Sequence, residues 1–188
     1  MKKIKIGDRY VGGDNPVYII VEAGCNHDGK LVQGYQLIEQ ASKNGADAIK
    51  FQTFKANKLV TKNAQQWWLS EEQRQNKKQI DLYKEQDVFG FNEYEKLANY
   101  CNKNEITFLS TPFDEESADL LEKLNVPAYK IASTDLTNLP FLKYVAKKNK
   151  PIILSLGMGN LEEIEESVQT IRSTGNEQIA LLHCIVEY

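Results

Sequence analysis

A chain of 188 residues that is 41% hydrophobic and 26% charged has the composition of an ordinary globular domain, which excludes a disordered or low-complexity protein. Its formal net charge is −3, and no block of lysine and arginine would attract nucleic acid or an anionic membrane surface. Three widely spaced cysteines without a CxxC pair argue against a disulfide framework, and no apolar run has the length of a signal peptide or membrane span. These features predict a cytoplasmic protein with a small-molecule partner.

Short apolar runs alternate along the chain with segments of helical period. The pattern predicts strands at 17–22, 47–52, 106–111, 128–132, 152–156 and 179–184, and helices near 31–44, 91–103, 115–124, 139–148 and 160–173. Asp114 and Asn160 stand at N-cap positions, while Gly45 and Gly175 stand where a glycine commonly follows a helix. This alternation is typical of βα units around a parallel sheet, so the predicted fold class is α/β.

The connection after the second strand is longer than a βα unit needs. Segment 55–90 is polar, and we expect it to be partly helical. It follows the carboxyl end of its strand, where the loops of a (β/α)8 TIM barrel form the functional face. A lid or substrate wall is one interpretation of this insert, and a solvated helical excursion is the other.

The second strand, with sequence DAIKFQ, carries a lysine inside an apolar run. Side chains alternate between the faces of a strand, so Lys50 and Gln52 share one face while Ile49 and Phe51 share the other. If the second pair packs against helices, the first points into a barrel near its carboxyl-end mouth. Lys50 alone is equally well explained by a structural ion pair with Glu22.

The same alternation gives five consecutive strands a polar inward residue near the carboxyl end. These residues are Glu22, Lys50 with Gln52, Thr111, Lys130 and Ser155. Two lysines that converge on one mouth need more negative charge than one glutamate supplies. A small polyanion such as a phosphorylated carboxylate fits them, with Gln52, Thr111, Ser133 and Ser155 as neutral donors.

Six motifs in order carry a family resemblance from about residue 17 to the end of the chain. They are VEAGCNHDG, GADAIKFQTFKANKLVTKNA, FLSTPFDEESADLL, YKIASTDLTNLPFL, ILSLGMGNLEEI and LLHCIVEY. Together they resemble the N-acetylneuraminate (sialic acid) synthase family, which includes legionaminic acid synthases. The resemblance implies a TIM barrel that condenses phosphoenolpyruvate with N-acetylmannosamine or a related amino sugar, giving a nine-carbon sialic acid and phosphate.

The resemblance also implies roles for particular residues. Positions matching those that hold phosphoenolpyruvate are Lys50, Thr111, Lys130, Ser133 and Ser155, and positions matching the sugar or intermediate pocket are Gln52, Asp135 and Tyr188. Glu22, with Lys50 and Lys130, belongs to the implied catalytic group. Glu22 would handle a proton or water, or else orient a sugar hydroxyl. Three positions, Thr134, Leu156 and Val186, depart from the family pattern and leave the pocket's shape and the choice of sugar open.

Six predicted strands are fewer than the eight of a closed barrel, which typically takes ~250 residues. We therefore expect residues 1–188 to be an incomplete N-terminal portion that is inactive alone. The resemblance places the remaining strands, the histidine ligands of Mn²⁺ or Mg²⁺ and a C-terminal antifreeze-like domain beyond Tyr188, and implies a homodimer at full length. No metal ligands are expected in this chain. His27 is interpreted as a turn residue or as one that supports ligand-contacting residues from behind, and His183 as a core residue.

Two other functions fit the residues. One is a Schiff-base aldolase on a similar barrel, with Lys130 or Lys50 as the nucleophile. The other is a non-catalytic half-barrel remnant, which would bind no phosphoenolpyruvate.

Overall fold

The computed structural model describes residues 3–66, 69, 71 and 78–186, and the elements below lie within those ranges. The strands are β1 Ile4–Ile6, β2 Arg9–Val11, β3 Ile20–Gly24, β4 Ala48–Thr53, β5 Thr107–Pro112, β6 Tyr129–Ile131, β7 Ile152–Ser155 and β8 Ile179–Leu182. The helices are α1 Leu31–Lys43, α2 Ala56–Leu59, α3 Gln79–Gln86, α4 Phe91–Lys103, α5 Glu115–Lys123, α6 Leu139–Ala146 and α7 Leu161–Arg172, with a 3₁₀ turn at Ser133–Asp135.

The later strands run parallel and follow one another in space as they do in sequence. β3, β4 and β5 form one hydrogen-bonded sheet, and β6, β7 and β8 form a second. β5 and β6 lie side by side. Consecutive parallel neighbours within each sheet are what βα repeats produce, so the predicted α/β class is confirmed in the described ranges.

The helix boundaries follow the predicted capping residues. Asp114 caps α5 by accepting a hydrogen bond from the Ser117 N–H at 2.8 Å. Asn160 caps α7 in a capping box with Glu163. Such caps each stabilise a helix by about 1 kcal/mol. Because the caps are local in sequence, these helix starts can be predicted from the sequence alone.

The two faces of β4 pack as side-chain alternation predicts. Ile49 and Phe51 are fully buried in a cluster that includes Ile38 of α1 and Leu97 of α4. Ala48 belongs to a different cluster on the opposite face. The helix-facing and interior-facing positions of this strand are therefore the ones expected.

The β1–β2 hairpin is an element that the sequence analysis missed, because its strands have only three residues each. Ile4 and Ile6 are buried among interior-facing residues, namely Ala48, Leu109, Ala128 and Ile153. Arg9 forms an ion pair with Asp47, which ties the hairpin to the start of β4. On the face of the strands away from the helices, apolar side chains therefore pack near the amino ends of the strands. The polar side chains of that face lie near the carboxyl ends.

The described part of the insert contains α2 and α3, in agreement with its predicted helical character. Two carboxylates fix the start of α2. Asp87 accepts a hydrogen bond from the Ala56 N–H at 3.0 Å, and Asp114 accepts one from the Lys55 N–H at 2.9 Å. The Lys55 ammonium also pairs with Asp87 at 3.2 Å. These contacts hold the short helix against the carboxyl end of the sheet.

Candidate active site

A cavity of about 360 Å³ lies at the carboxyl ends of the parallel strands. Seven residues singled out from the sequence line it: Glu22, Lys50, Gln52, Thr111, Lys130, Ser133 and Ser155. They come from five consecutive strands and the turn after β6. In α/β proteins this edge of the sheet is where ligands bind. We refer to this cavity as the anion chamber because of its two lysines.

Lys50 is 7% exposed and lies opposite Glu22 in the pairing of β3 with β4. Its ammonium forms an ion pair with Glu22 and donates a hydrogen bond to Thr111 Oγ1 at 3.2 Å. The Glu22 side chain is 53% exposed, so its carboxylate stays hydrated. A β-bulge between Glu22 and Gly24 interrupts β3, and Gly24 takes a positive φ of 53°. The ion pair therefore forms at an irregular strand end that is open to solvent.

Lys130 is also 7% exposed, and its hydrogen bonds go to neutral acceptors. Its ammonium donates to Ser155 Oγ at 2.6 Å and to the Ile131 carbonyl at 2.8 Å. An ammonium has three N–H donors, so these two bonds leave one donor for a ligand. A buried cation without an ion pair among the described residues favours binding of an anion.

The two lysines influence each other electrostatically. Burial first, and then the positive charge of Lys50, lower the pKa of Lys130 to about 8, while Glu22 and Cys184 act in the opposite direction. A bound anion would offset both causes of the shift. The electrostatic free energy of the chamber is therefore less favourable without a bound anion than with one.

The affinity of the anion chamber for sulfate is expected to fall as the pH rises above about 8, because Lys130 then loses its charge. The other charged or titratable groups acting on it are Lys50, Glu22 and Cys184. Sulfate keeps a constant charge in this range, so titration calorimetry at several pH values isolates the protein's contribution. In Lys130→Arg the guanidinium stays charged, and the decline should flatten. An identical decline in both proteins would contradict the prediction.

A second cavity of about 520 Å³ adjoins the first, and we call it the outer chamber. Gln52, Phe113 and Thr134 line both cavities. The outer chamber's other lining residues are Lys58, Leu59, Val60, Tyr83, Asp135 and Asn138. Residues of the insert therefore form one of its walls.

Asp135 lies in the outer chamber and not with the lysines. Its Oδ1 accepts a hydrogen bond from the Asn138 side chain at 3.3 Å. Its Oδ2 is buried and has no hydrogen-bond partner among the described residues. Burial raises the pKa of Asp135, and the bond from Asn138 opposes that rise. Tyr188, the remaining predicted pocket residue, lies outside the described residues.

The structure agrees with the role predicted for one histidine and disagrees with the burial predicted for the other. His27 is 2% exposed, stacks on Phe89 with ring centroids 4.4 Å apart, and accepts a hydrogen bond from the Gly29 N–H at 3.1 Å. The expected turn role is confirmed. His183 is exposed, so its predicted core position is wrong. It follows β8, which is an edge strand in the described part of the chain, and edge strands leave side chains uncovered.

Several lining residues of the anion chamber escaped the sequence analysis. These are Ile20, Phe113, Ala132, Leu182, Cys184 and Ile185. Phe113 follows Pro112 at the end of β5. The sequence pattern around it is the same as that around an aromatic residue of the core, so that pattern contains no sign that Phe113 lines a cavity. Of the three departures from the family pattern, Thr134 and Val186 line the chamber, while Leu156 packs against the main core.

Gly157, in the loop after β7, is needed for close packing. A Cβ at this position would lie 2.8 Å from the Cys184 carbonyl oxygen and 2.7 Å from a Val186 methyl. Gly157→Ala is therefore expected to displace the chamber wall and lower the free energy of unfolding by about 1–3 kcal/mol, measured by denaturant titration. In Gly90→Ala, the control, the nearest neighbour of the new Cβ would be Glu93 Oε2 at 3.4 Å. Equal stability of the two variants would refute the close-packing argument.

Solved structures identify the class of protein to which this fold and site belong. A sialic acid synthetase from Leptospira borgpetersenii serovar Hardjo-bovis, solved in complex with citrate, matches with a TM-score of 0.87 and 33% identity over 100% of this chain and 60% of that one. The spore coat polysaccharide biosynthesis protein SpsE from Bacillus subtilis matches with a TM-score of 0.83 and 40% identity over 100% and 49%. A truncated 3-deoxy-D-arabino-heptulosonate 7-phosphate synthase from Thermotoga maritima, at 17% identity and a TM-score of 0.68, shares the fold. These neighbours have folds of the TIM-barrel type.

The NeuB family profile matches residues 37–188, and the chain belongs to the NeuB family. An N,N'-diacetyllegionaminic acid synthase from Campylobacter jejuni is 43% identical over 173 residues, which cover 90% of this chain and 52% of that protein. The resemblance inferred from the six motifs is thus confirmed. The chain spans about half the length of the curated relatives it matches.

Among the described residues, no helix has the length and apolar character needed to cross a bilayer. The longest helices, α1 and α4, have 13 residues each.

Proposed function

We propose that this chain is the N-terminal portion of a synthase that condenses phosphoenolpyruvate with N-acetylmannosamine or a related amino sugar. The observation that carries the proposal is the pair of buried lysines, Lys50 and Lys130, in one chamber. Phosphoenolpyruvate has a carboxylate and a phosphate, so each lysine would meet one anionic group. Hydroxyl donors line the same chamber at Thr111, Ser133 and Ser155. Membership of the NeuB family supports this assignment.

The proposal includes a (β/α)8 barrel that continues beyond these residues into a C-terminal antifreeze-like domain. Among the described residues, β3 and β8 each pair with a strand on one side only. Apolar side chains near these edges are exposed, among them Val21 at 39%, Leu181 at 47% and Ile185 at 82%. Open edges of this kind favour further pairing. We also propose that the complete protein is a homodimer, which its mass in solution would test.

The reaction forms one carbon–carbon bond and one carbon–oxygen bond to water, and it breaks the carbon–oxygen bond to phosphate. C3 of phosphoenolpyruvate bonds to the aldehyde carbon of the open-chain sugar, and the aldehyde oxygen takes a proton. Water adds to C2 and releases a proton, which gives a tetrahedral intermediate. The C2–O bond to phosphate then breaks, phosphate leaves with the bonding electron pair, and the C2 hydroxyl proton is lost as the ketone forms. Lys50 and Lys130 would stabilise the negative charge that gathers on phosphate and carboxylate.

Glu22 is proposed to handle a proton of the attacking water or, alternatively, to orient a sugar hydroxyl. Its carboxylate contacts the Lys50 ammonium and is half exposed, so a water molecule can reach it. Gln52 and Asp135 are proposed to contact the sugar, together with Tyr188. Glu22→Gln separates the two roles of Glu22. Loss of kcat at constant KM for the sugar would indicate proton handling, and a raised KM would indicate orientation.

A divalent metal, Mn²⁺ or Mg²⁺, is proposed as the cofactor, and it would polarise the sugar aldehyde. The described residues of this chain do not supply a set of ligands for this metal. Within the described ranges, no group of three His, Cys, Asp or Glu side chains is placed to hold a metal ion. We therefore propose that the ligands of the metal come from the rest of the complete protein.

The decisive experiment measures phosphate release from phosphoenolpyruvate on addition of an amino sugar and Mn²⁺. The chain extended to its natural stop codon is assayed beside the 188-residue portion. Release by the extended chain and not by the shorter one is expected. A folded extended protein that releases no phosphate with any amino sugar would overturn the proposal.

A second candidate, a Schiff-base aldolase, is favoured by one observation. The pKa of Lys130 is lowered to about 8 by burial and a neighbouring lysine, and these conditions activate an amine as a nucleophile. Borohydride reduction with pyruvate would leave a covalent adduct on Lys130 in an aldolase and none in the synthase. A non-catalytic remnant would bind no phosphoenolpyruvate, which calorimetry detects directly.

A further inference from the structure

Cys25 lies where the irregular end of β3 meets the end of β4. It follows Gly24, at which a β-bulge interrupts β3 and the backbone takes a positive φ of 53°. The Cys25 side chain is half-buried, and its thiol donates a hydrogen bond to Gln52 Oε1 with an S···O distance of 3.5 Å. Cys25 lines neither the anion chamber nor the outer chamber. Any effect of this thiol on a bound substrate would therefore pass through Gln52.

The thiol of Cys25 keeps its proton and acts as a hydrogen-bond donor. Burial first, and then the negative charge of Glu22, raise the pKa of Cys25 to about 11. The two ends of a glutamine amide differ, because the oxygen accepts hydrogen bonds and the N–H2 group donates them. If the Gln52 amide were turned over, the thiol proton would face the N–H2 group and would lose its acceptor. The thiol therefore favours one of the two amide orientations.

In this orientation, the amide N–H2 group of Gln52 remains available to a ligand. Gln52 lines the anion chamber, and its Nε2 has no hydrogen-bond partner in the part of the chain that the structure describes. Its main-chain carbonyl accepts a hydrogen bond from the buried Tyr94 hydroxyl at 2.8 Å, which holds the backbone at this point. Gln52 is thus held at two oxygens, and its unpaired donors lie at a cavity. An acceptor oxygen of a ligand would complement these donors.

We propose that Cys25 is a positioning residue, whose thiol holds the Gln52 amide in the orientation that presents its N–H2 group to an acceptor oxygen of the substrate. Without the thiol proton, the amide can turn over and bring its own oxygen towards the substrate oxygen. A hydrogen bond is then replaced by the contact of two acceptors. This inference rests on the proposed function, because it acts through a contact between Gln52 and the amino sugar.

The first test removes the thiol and then restores a donor at the same place. In the extended protein, Cys25→Ala is expected to lower kcat/KM for the amino sugar roughly two- to tenfold, the range for one neutral hydrogen bond. Cys25→Ser supplies an O–H donor and should stay within about twofold of the parent protein. Phosphate release under steady-state conditions gives both ratios. An unchanged value in Cys25→Ala, or an equal loss in both variants, would overturn the proposal.

The second test asks whether Cys25 acts through Gln52. Gln52→Met keeps the length of the side chain and removes the amide. If the thiol only orients that amide, Cys25→Ala should cause little further loss in the Gln52→Met background. Losses in kcat/KM that multiply in the double variant would show a different route and would overturn the proposal.

A spectroscopic measurement follows the orientation of the amide without relying on activity. In the extended protein labelled with ¹⁵N-glutamine, Gln52→Met identifies the side-chain N–H2 signals of Gln52 by their loss. We expect these signals to shift in Cys25→Ala and to return towards their parent positions in Cys25→Ser. Signals that are unchanged in Cys25→Ala would contradict the positioning role.

Cys101→Ala is the control for the loss of a buried thiol. Cys101 is fully buried in the main core and lines neither chamber. We expect Cys101→Ala to lower the melting temperature and leave kcat/KM for the sugar unchanged. A loss of kcat/KM that follows the melting temperature in both alanine variants would identify Cys25 as a structural residue. If the parent protein releases no phosphate with any amino sugar, the proposed function itself fails, whereas the other contrary outcomes overturn this inference alone.

Discussion

Lys130→Met in the extended protein is expected to lower kcat/KM for phosphoenolpyruvate by roughly 10²–10³-fold, the usual effect of removing one charge-stabilising donor from an active site. Methionine keeps the length and apolar stem of the side chain but removes the charge and the donor aimed at the ligand. Lys130 is 7% exposed and has no ion-pair partner among the described residues, so solvent cannot replace it. Phosphate release under steady-state conditions gives the ratio.

The same substitution should not weaken the unliganded fold. The pKa of Lys130 in the folded protein is about 8, below its ordinary value of 10.5, so the unfolded chain binds more protons between these values. Ionised Lys130 therefore lowers stability below pH 8, and Lys130→Met removes that cost. Lys143→Met on the exposed surface of α6 is the matched control for activity. Unchanged kcat/KM, or a loss of activity that merely follows a fall in melting temperature, would contradict the proposed role.

Lys50→Met is expected to cause a loss of about 10² in kcat/KM for phosphoenolpyruvate, which follows from the same loss of a charged donor. The interpretation is less direct, because Lys50 also pairs with Glu22. If Lys50 only balanced that carboxylate, the loss would arise from an uncompensated negative charge in the chamber. The double variant Lys50→Met with Glu22→Gln distinguishes the two explanations, since it removes the lysine and the charge that it would balance.

We expect the double variant to remain as inactive as Lys50→Met. Calorimetric titration with phosphoenolpyruvate should likewise show weakened binding in both. Recovery of phosphoenolpyruvate affinity in the double variant would show that Lys50 is a structural partner of Glu22. Because Glu22 is 53% exposed, Glu22→Gln is expected to change the melting temperature by no more than the loss of a surface ion pair would.

Much of the anion chamber was predictable because strand alternation is a local property. The two-residue spacing of Lys50 and Gln52 places both on one face of β4, and their neighbours Ile49 and Phe51 are fully buried on the other. The same reasoning brings Lys130 to the same edge. The His183 prediction failed for the complementary reason. Burial of a residue near an edge strand depends on which element packs beside that strand. The alternation of side chains along the strand contains no information about that element.

The outer chamber could not have been predicted from any one segment. Asp135 and Val60 line the same cavity although 75 residues separate them in the chain. Their proximity depends on how Asp87 and Asp114 anchor the start of α2, through hydrogen bonds to backbone N–H groups. Nothing in the composition of the insert distinguishes a chamber wall from a solvated helix.

The sequence by itself determined the α/β class, the helix starts, the inward-facing lysines and the family, since these follow from short-range periodicity, capping and ordered motifs. Only the tertiary structure decided which partners those groups have. It showed that Lys130 hydrogen-bonds Ser155 while Lys50 takes Glu22, and that a hairpin of three-residue strands fills the amino end of the interior. It also showed that Asp135 stands apart from both lysines. Such contacts depend on strand register and loop paths between distant residues, and a local pattern contains neither.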